Sequence, residues 1–147
     1  MKNNSSNQKY SILHLYTDGG SRGNPGPAAI GMVIKTPDGK TTIEEKGECI
    51  GNATNNEAEY QALIEGLAMA EDYKPEKLVC FLDSSLVVNQ LNGKFRIKQA
   101  HLRQLVFEVR RKMANLAGTS ISFHHVPREK NDHADSLLNQ AFAGQKS

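Results

Sequence analysis

Four acidic side chains, Asp18, Glu59, Asp83 and Asp135, lie far apart in the chain but at matching points of its local pattern, where a strand gives way to a loop or a helix begins. Asp18 closes the run Ile12-Leu13-His14-Leu15-Tyr16-Thr17, and Asp83 closes Leu78-Val79-Cys80-Phe81-Leu82. If both runs are strands of one sheet, the two carboxylates emerge together at its carboxyl edge, where open α/β sheets place their ligands. Convergent carboxylates repel unless a cation joins them. Hard divalent cations, Mg²⁺ above all, are the natural counterion, and such a centre commonly handles phosphate esters.

Each acid also has a simpler reading. Asp18 opens the loop Gly19-Gly20-Ser21 with Gly23-Asn24-Pro25-Gly26-Pro27, which is either a tight turn or a backbone left bare for close approach to a phosphate or sugar. Glu59 shares a helical stripe with Leu63 and Leu67, so it faces inward and needs a partner. Its neighbour Glu57 completes the capping box Thr54-Asn55-Asn56-Glu57 and is assigned to structure, leaving Glu59 for chemistry. Asp83 could cap the helix that begins at Ser84-Ser85. Asp135, near the start of the last helix, could simply offset its dipole, and Asp132 competes with it for any functional role.

The elements that must position these groups follow from periodicity. Tyr10 to Thr17, Ala28 to Lys35 and Lys40 to Ile50 read as strands, with Thr36-Pro37-Asp38-Gly39 turning the last two into a hairpin. A helix is expected from Asn55 to Asp72, stopped by Lys74-Pro75, and then a buried strand from Leu78 to Leu82. Two helices follow, Ser84 to Leu91 and Gln99 to Leu116, the second with Leu102, Leu105, Val106, Val109 and Met113 on one face. A fifth strand, Ser120 to Val126, and a helix, Asn131 to Phe142, complete the order β-β-β-α-β-α-α-β-α. That order implies an α/β fold with a five-stranded mixed sheet and helices on both faces. The expectation is one domain over residues 10–143, preceded by a disordered polar tail over residues 1–9.

Composition excludes little. With 147 residues, 38% hydrophobic and 23% charged, the chain can bury an ordinary core, and no apolar stretch approaches the length of a bilayer crossing. Met1 to Lys9 lacks the apolar core of a secretory signal, and Cys49 and Cys80 form no CxxC pair, so the cytoplasm is the expected compartment and zinc is not expected. A net charge of +2 leaves any nucleic-acid contact to local patches.

Taken together, Tyr16-Thr17-Asp18-Gly19-Gly20-Ser21 with Asn24-Pro25-Gly26-Pro27, Thr54-Asn55-Asn56 with Glu59, Leu82-Asp83-Ser84, and Asn131 with Ala134-Asp135 resemble the type 1 ribonuclease H family, from Leu13 to Leu138. The resemblance implies a metal-dependent endonuclease that hydrolyses the RNA strand of an RNA/DNA hybrid. It implies two Mg²⁺ ions, replaceable by Mn²⁺, held by Asp18, Glu59, Asp83 and Asp135, and products with 5′-phosphate and 3′-hydroxyl ends. Asn24, Asn55 and Asn56 match family positions that bond sugars and base edges in the minor groove, and the backbone of Gly19, Gly20 and Ser21 could contact the RNA. Asn24 could equally be a turn residue, and Asn55 or Asn56 a helix cap. A monomer with no obligate protein partner is expected.

The match loosens in two places. Many members carry a loop histidine before the last aspartate; here the loop Pro127-Arg128-Glu129-Lys130 has none, so either Arg128 or the strand-end His125 takes that role, with Arg128 placed ahead. The basic, tryptophan-bearing protrusion that some bacterial relatives carry is also missing. The chain has no Trp, and only Gly93-Lys94-Phe95-Arg96-Ile97-Lys98 joins the middle helices. Arg110-Arg111-Lys112 reads as a solvated face, and His14, His101 and His133 as structural or exposed. Two other functions compete: a catalytically silent hybrid-binding module, and a DNA nuclease of the same general fold.

Overall fold

The computed structural model describes residues 9–144, so the expected tail lies outside the described residues except for Lys9. Strands β1 (Ile12–Ser21), β2 (Gly26–Lys35) and β3 (Thr42–Ala53) form an antiparallel meander, followed by helix α1 (Asn55–Ala70) and strand β4 (Lys77–Leu82). Helices α2 (Ser85–Leu91) and α3 (Ala100–Ala114), strand β5 (Ser120–His125), a 3₁₀ turn (Arg128–Lys130) and helix α4 (Asp132–Gly144) complete the chain. The sheet has five strands in the order β3-β2-β1-β4-β5, with β1, β4 and β5 parallel to one another. The expected α/β architecture and element order are present.

Helices cover both faces. Leu13 and Leu15 of β1 and Met32 and Ile34 of β2 join Leu63 and Leu67 of α1 in the main core, which α3 extends through Leu102 and Val109. On the other face Ala29 and Val33 pack against Leu137, Leu138 and Phe142 of α4. Because β2 is covered on both sides, its sequence is almost continuously apolar from Ala28 to Ile34 rather than alternating. Strand β4 alternates instead: Leu78, Cys80 and Leu82 are buried, while half-buried Phe81 stacks on Tyr16 with ring centroids 4.9 Å apart.

One boundary differs from expectation in a way that matters. β1 does not stop at Thr17; it continues through Asp18-Gly19-Gly20-Ser21, paired with Gly31, Ile30, Ala29 and Ala28 of β2. Asp18 is therefore held by a ladder on both sides of it, and the true turn shrinks to the residues between Ser21 and Gly26. Glycine punctuation suggested a loop, but these glycines serve contact with helices. A Cβ on Gly19 would lie 2.2 Å from the carbonyl oxygen of Ala58, and one on Gly31 would lie 2.1 Å from that of Ala134. The bare strand backbone lets α1 and α4 touch the sheet, one residue before Glu59 and one before Asp135.

Adding that methyl group forces one backbone away from the other. Gly31→Ala is expected to lower the unfolding free energy by about 1–3 kcal/mol in a urea titration. Gly118→Ala, whose Cβ would meet nothing within 4 Å, is expected to change it by less than about 0.5 kcal/mol.

Candidate metal centre and nucleic-acid interface

The parallel pairing of β1 with β4 sets Thr17 opposite Leu82, so the next residues, Asp18 and Asp83, leave the two strands side by side. Glu59 is delivered from the opposite side by the first turns of α1, where its Oε1 accepts a hydrogen bond of 3.2 Å from the backbone N–H of Gly19. The result is a cluster in which one carboxylate oxygen from each of Asp18, Glu59 and Asp83 lies within 4.8 Å of the others. Asp135 joins from the start of α4, close enough to Asp18 to raise the affinity of its carboxyl for a proton. All of the sequence-predicted acids thus meet at one sheet edge, brought there by two strands and two helices.

The competing structural roles fall to neighbours. Thr54 caps α1, with Glu57 reaching back to its N–H at 2.8 Å, which releases both Asn55 and Asn56 from capping. Ser84 caps α2 by accepting from the N–H of Val87, which releases Asp83. Asp132 is exposed and has no resolved part in the cluster, whereas Asp135 is half-buried beside Asp18.

Electrostatically the centre is under load. Asp18 is only 7% exposed and Glu59 only 8%. Burial first, then the charge of Asp83, then Asp135 push the Asp18 carboxyl from 3.8 up to about 8. Burial, then the charges of Asp18 and Asp83, also hold Glu59 well above the ordinary range, against the pull of the Gly19 N–H. Arg128, in the 3₁₀ turn, is the cation that both acids feel. His125 ends β5 opposite Leu82 and is exposed, and its side chain makes no hydrogen bond or ion pair among the described residues. Buried carboxylates that protonate for want of a counter-charge are suited to an oxygen-seeking divalent cation, and this donor set has no nitrogen or sulfur ligand.

Beside the acids lies a carboxamide network. Asn24 Oδ1 accepts from the N–H of Asn55 at 2.9 Å, and Asn55 Oδ1 accepts from the N–H of Ser21 at 2.9 Å, tying the β1–β2 turn to the start of α1. The Ser21 hydroxyl donates to the carbonyl of Gly23. The backbone N–H groups of Gly19 and Ser21 are therefore already taken by Glu59 and Asn55, and Gly20 pairs in the ladder with Ala29. The side-chain amide NH₂ groups of Asn24 and Asn55, and the whole side chain of Asn56, carry no hydrogen bond among the described residues.

One residue quoted only as part of a motif proves central. Asn131 is 1% exposed, and its Nδ2 donates to the carbonyl of Thr17 at 2.9 Å and to Asp83 Oδ2 at 3.0 Å. Its spacing before Asp135, one helical turn, was the available signal. Of the other histidines, His101 lies 3.6 Å from Glu57 and His133 lies 3.0 Å from Glu45, while His14 stands edge-on to Phe81. Arg110 is not merely solvated: it donates to the carbonyl of Leu91 at the end of α2.

Comparison with known proteins places the fold in a family. Residues 16–141 match the family model described as "Reverse transcriptase-like". The chain is 43% identical over 129 residues to the Ribonuclease HI of Halobacterium salinarum, covering 88% of this chain and 63% of that protein. The crystal structure of RNase H1 from the same archaeon superposes with a TM-score of 0.83 at 42% identity, over 90% of this chain and 98% of that one. A crystal structure of LC11-RNase H1 in complex with an RNA/DNA hybrid superposes with a TM-score of 0.86 at 36% identity, over 92% and 99% of the two chains. A bifunctional protein of Mycobacterium tuberculosis is 41% identical over 127 residues, which are 86% of this chain but 34% of that protein. The chain thus spans about two thirds or less of the curated relatives it matches. It belongs to the reverse transcriptase-like family and, within it, to the type 1 ribonucleases H.

The raised carboxyls make metal-free stability depend on pH. Between 3.8 and about 8, Asp18 holds its proton in the folded chain and loses it in the unfolded one. Folding therefore takes up a proton in that window, and stability falls as pH rises through it. Thermal melts in EDTA are expected to decline from pH 4.5 to pH 8, less steeply for Asp18→Asn and less steeply again for the native chain in millimolar Mg²⁺. A flat wild-type profile in EDTA contradicts the loaded cluster.

Proposed function

We propose that this chain hydrolyses the RNA strand of RNA/DNA hybrids as a single ribonuclease H domain over residues 10–143, acting as a monomer and leaving 5′-phosphate and 3′-hydroxyl ends. The observation that carries the reading is the convergence of Asp18, Glu59 and Asp83 within 4.8 Å, with Asp135 beside Asp18, in a fold shared with a ribonuclease H solved on such a hybrid. Asp18, Glu59, Asp83 and Asp135 would hold two Mg²⁺ ions, with Mn²⁺ as a substitute. Bound there, the ions supply the positive charge that activates a water and neutralises the leaving oxygen.

The chain's own residues supply the rest. Asp18, central to the cluster and buried, fixes where charge is concentrated, and Glu59 is steered towards it by the Gly19 N–H. The free amide donors of Asn24, Asn55 and Asn56, beside the Gly19-Gly20-Ser21 segment, face acceptors on sugars and base edges, the features that mark an RNA strand in the minor groove. With the N–H groups of Gly19 and Ser21 engaged, substrate contact by this segment falls to its carbonyls and the Ser21 hydroxyl. Arg128, exposed and electrostatically linked to Asp18 and Glu59, would meet the phosphate, ahead of His125. No helix among the described residues is long and apolar enough to cross a membrane.

The test is cleavage of an end-labelled hybrid in Mg²⁺, Mn²⁺ or EDTA, beside duplex DNA, duplex RNA and single-stranded RNA. Metal-dependent cutting of the hybrid's RNA strand alone is expected, and Asp18→Asn is expected to abolish it while remaining folded. Binding without cutting in either metal would instead mark a silent binding module, and cutting of duplex DNA a DNA nuclease. Arg128→Ala is expected to lower kcat by about tenfold or more, within the range of a displaced charged group, while His125→Ala stays within about twofold.

A further inference from the structure

Asn131 bonds to two of the four acids, Asp83 and Asp135, and to the residue before a third, Thr17, without being acidic itself. Its Nδ2 bridges the Thr17 carbonyl, next to Asp18, and Oδ2 of Asp83. Its own backbone carbonyl accepts the N–H of Asp135 at 3.1 Å, which starts α4 at the point where that acid enters the site. The amide has one sensible orientation. Both partners are acceptors, so the nitrogen must face them, and Oδ1 is left buried with no protein hydrogen bond. The amide thus serves two acceptors with its nitrogen while its own oxygen, in a residue 1% exposed, is buried without a protein partner.

The geometry points to Asn131 as a positioning residue: we propose that it pins the Asp83 carboxylate by Oδ2, against the end of β1, so that Oδ1 stays free to ligate a cation in register with Asp18. This rests on the metal-dependent reading above. Among the described residues Asp83 Oδ1 accepts no hydrogen bond, and no other side chain holds Oδ2, because Ser84 is committed to the α2 cap. Without Asn131, among the described residues no side chain holds the Asp83 carboxylate against the end of β1, and it is free to rotate outward to solvent. The effect on chemistry is indirect, through the placement of one ligand.

The test measures metal binding apart from turnover. Mn²⁺ is titrated calorimetrically into the substrate-free protein, and cleavage is followed against Mg²⁺ concentration, for wild type, Asn131→Ala, Asp83→Asn and the double variant Asn131→Ala/Asp83→Asn. Circular dichroism and melting check the fold, and Asn131→Ser, which keeps a helix-starting side chain at that position, gives the same readouts if the alanine variant melts too low. Outer partners of metal ligands typically change metal affinity or activity 10–100-fold. Asn131→Ala is therefore expected to weaken Mn²⁺ binding and raise the half-saturating Mg²⁺ concentration by about tenfold or more, with KM for the hybrid within about twofold. In the Asp83→Asn background, removing Asn131 is expected to have no further effect on Mn²⁺ binding. A folded variant with unchanged metal binding, or an equal loss in the Asp83→Asn background, overturns the assignment. If wild type binds Mn²⁺ and the cycle behaves as expected but no hybrid is cut, the positioning role stands and the nuclease reading fails.

Discussion

The parallel ladder between β1 and β4 is the constraint on which everything else rests. Its register places Thr17 opposite Leu82, so Asp18 and Asp83 follow at the same height on adjacent strands. A slip of one residue would turn Leu13 and Leu15 out of the main core at the same time as it separated the acids, so the core enforces the site's geometry. Parallel strands require crossover connections, and α1 is that crossover. The element that joins β3 to β4 therefore carries Glu59 to the cluster, while its cap leaves Asn55 and Asn56 free at the same end.

Burial and repulsion act together here and must be answered by the fold. Two carboxylates at 7% and 8% exposure, within reach of a third, would on their own disfavour the folded chain. The cost is met by packing elsewhere: the bare backbones of Gly19 and Gly31 let α1 and α4 press directly on the sheet, and the capping box and the Tyr60–Gln90 hydrogen bond of 2.5 Å fix α1 and α2. The supports of the site are mainly backbone contacts and capped helix ends.

Much of this was legible in the sequence, and the exceptions are instructive. The element order, the capping box and the inward stripe carrying Glu59 all follow from local periodicity and spacing, which is why they could be read without coordinates. The Asp18-Gly19-Gly20-Ser21 segment was misread as loop because glycine signals both turns and close approach, and only the position of Ala58 against Gly19 tells them apart. The choice between Asp132 and Asp135 depended on which side of α4 meets Gly31, a tertiary fact. Asn131 was visible only as a helix-start residue, since its bonds to Thr17 and Asp83 span 114 and 48 residues of sequence.

The same electrostatics decides how a cation enters. At neutral pH the metal-free Asp18 carboxyl, pushed up to about 8, is mostly protonated, so a divalent ion must displace a proton to be held there. Metal loading and proton release are one equilibrium, and raising the pH strengthens the first by completing the second. Arg128 bears on this in an opposing way. Its charge draws Asp18 and Glu59 down towards ionisation, which readies the ligands, yet the same charge repels an incoming cation. Being exposed in a short 3₁₀ turn rather than buried with the acids, it does the first only weakly. A buried lysine or arginine in its place would satisfy the carboxylates permanently; a solvated arginine leaves the cluster short of positive charge, the condition under which a divalent cation would be held.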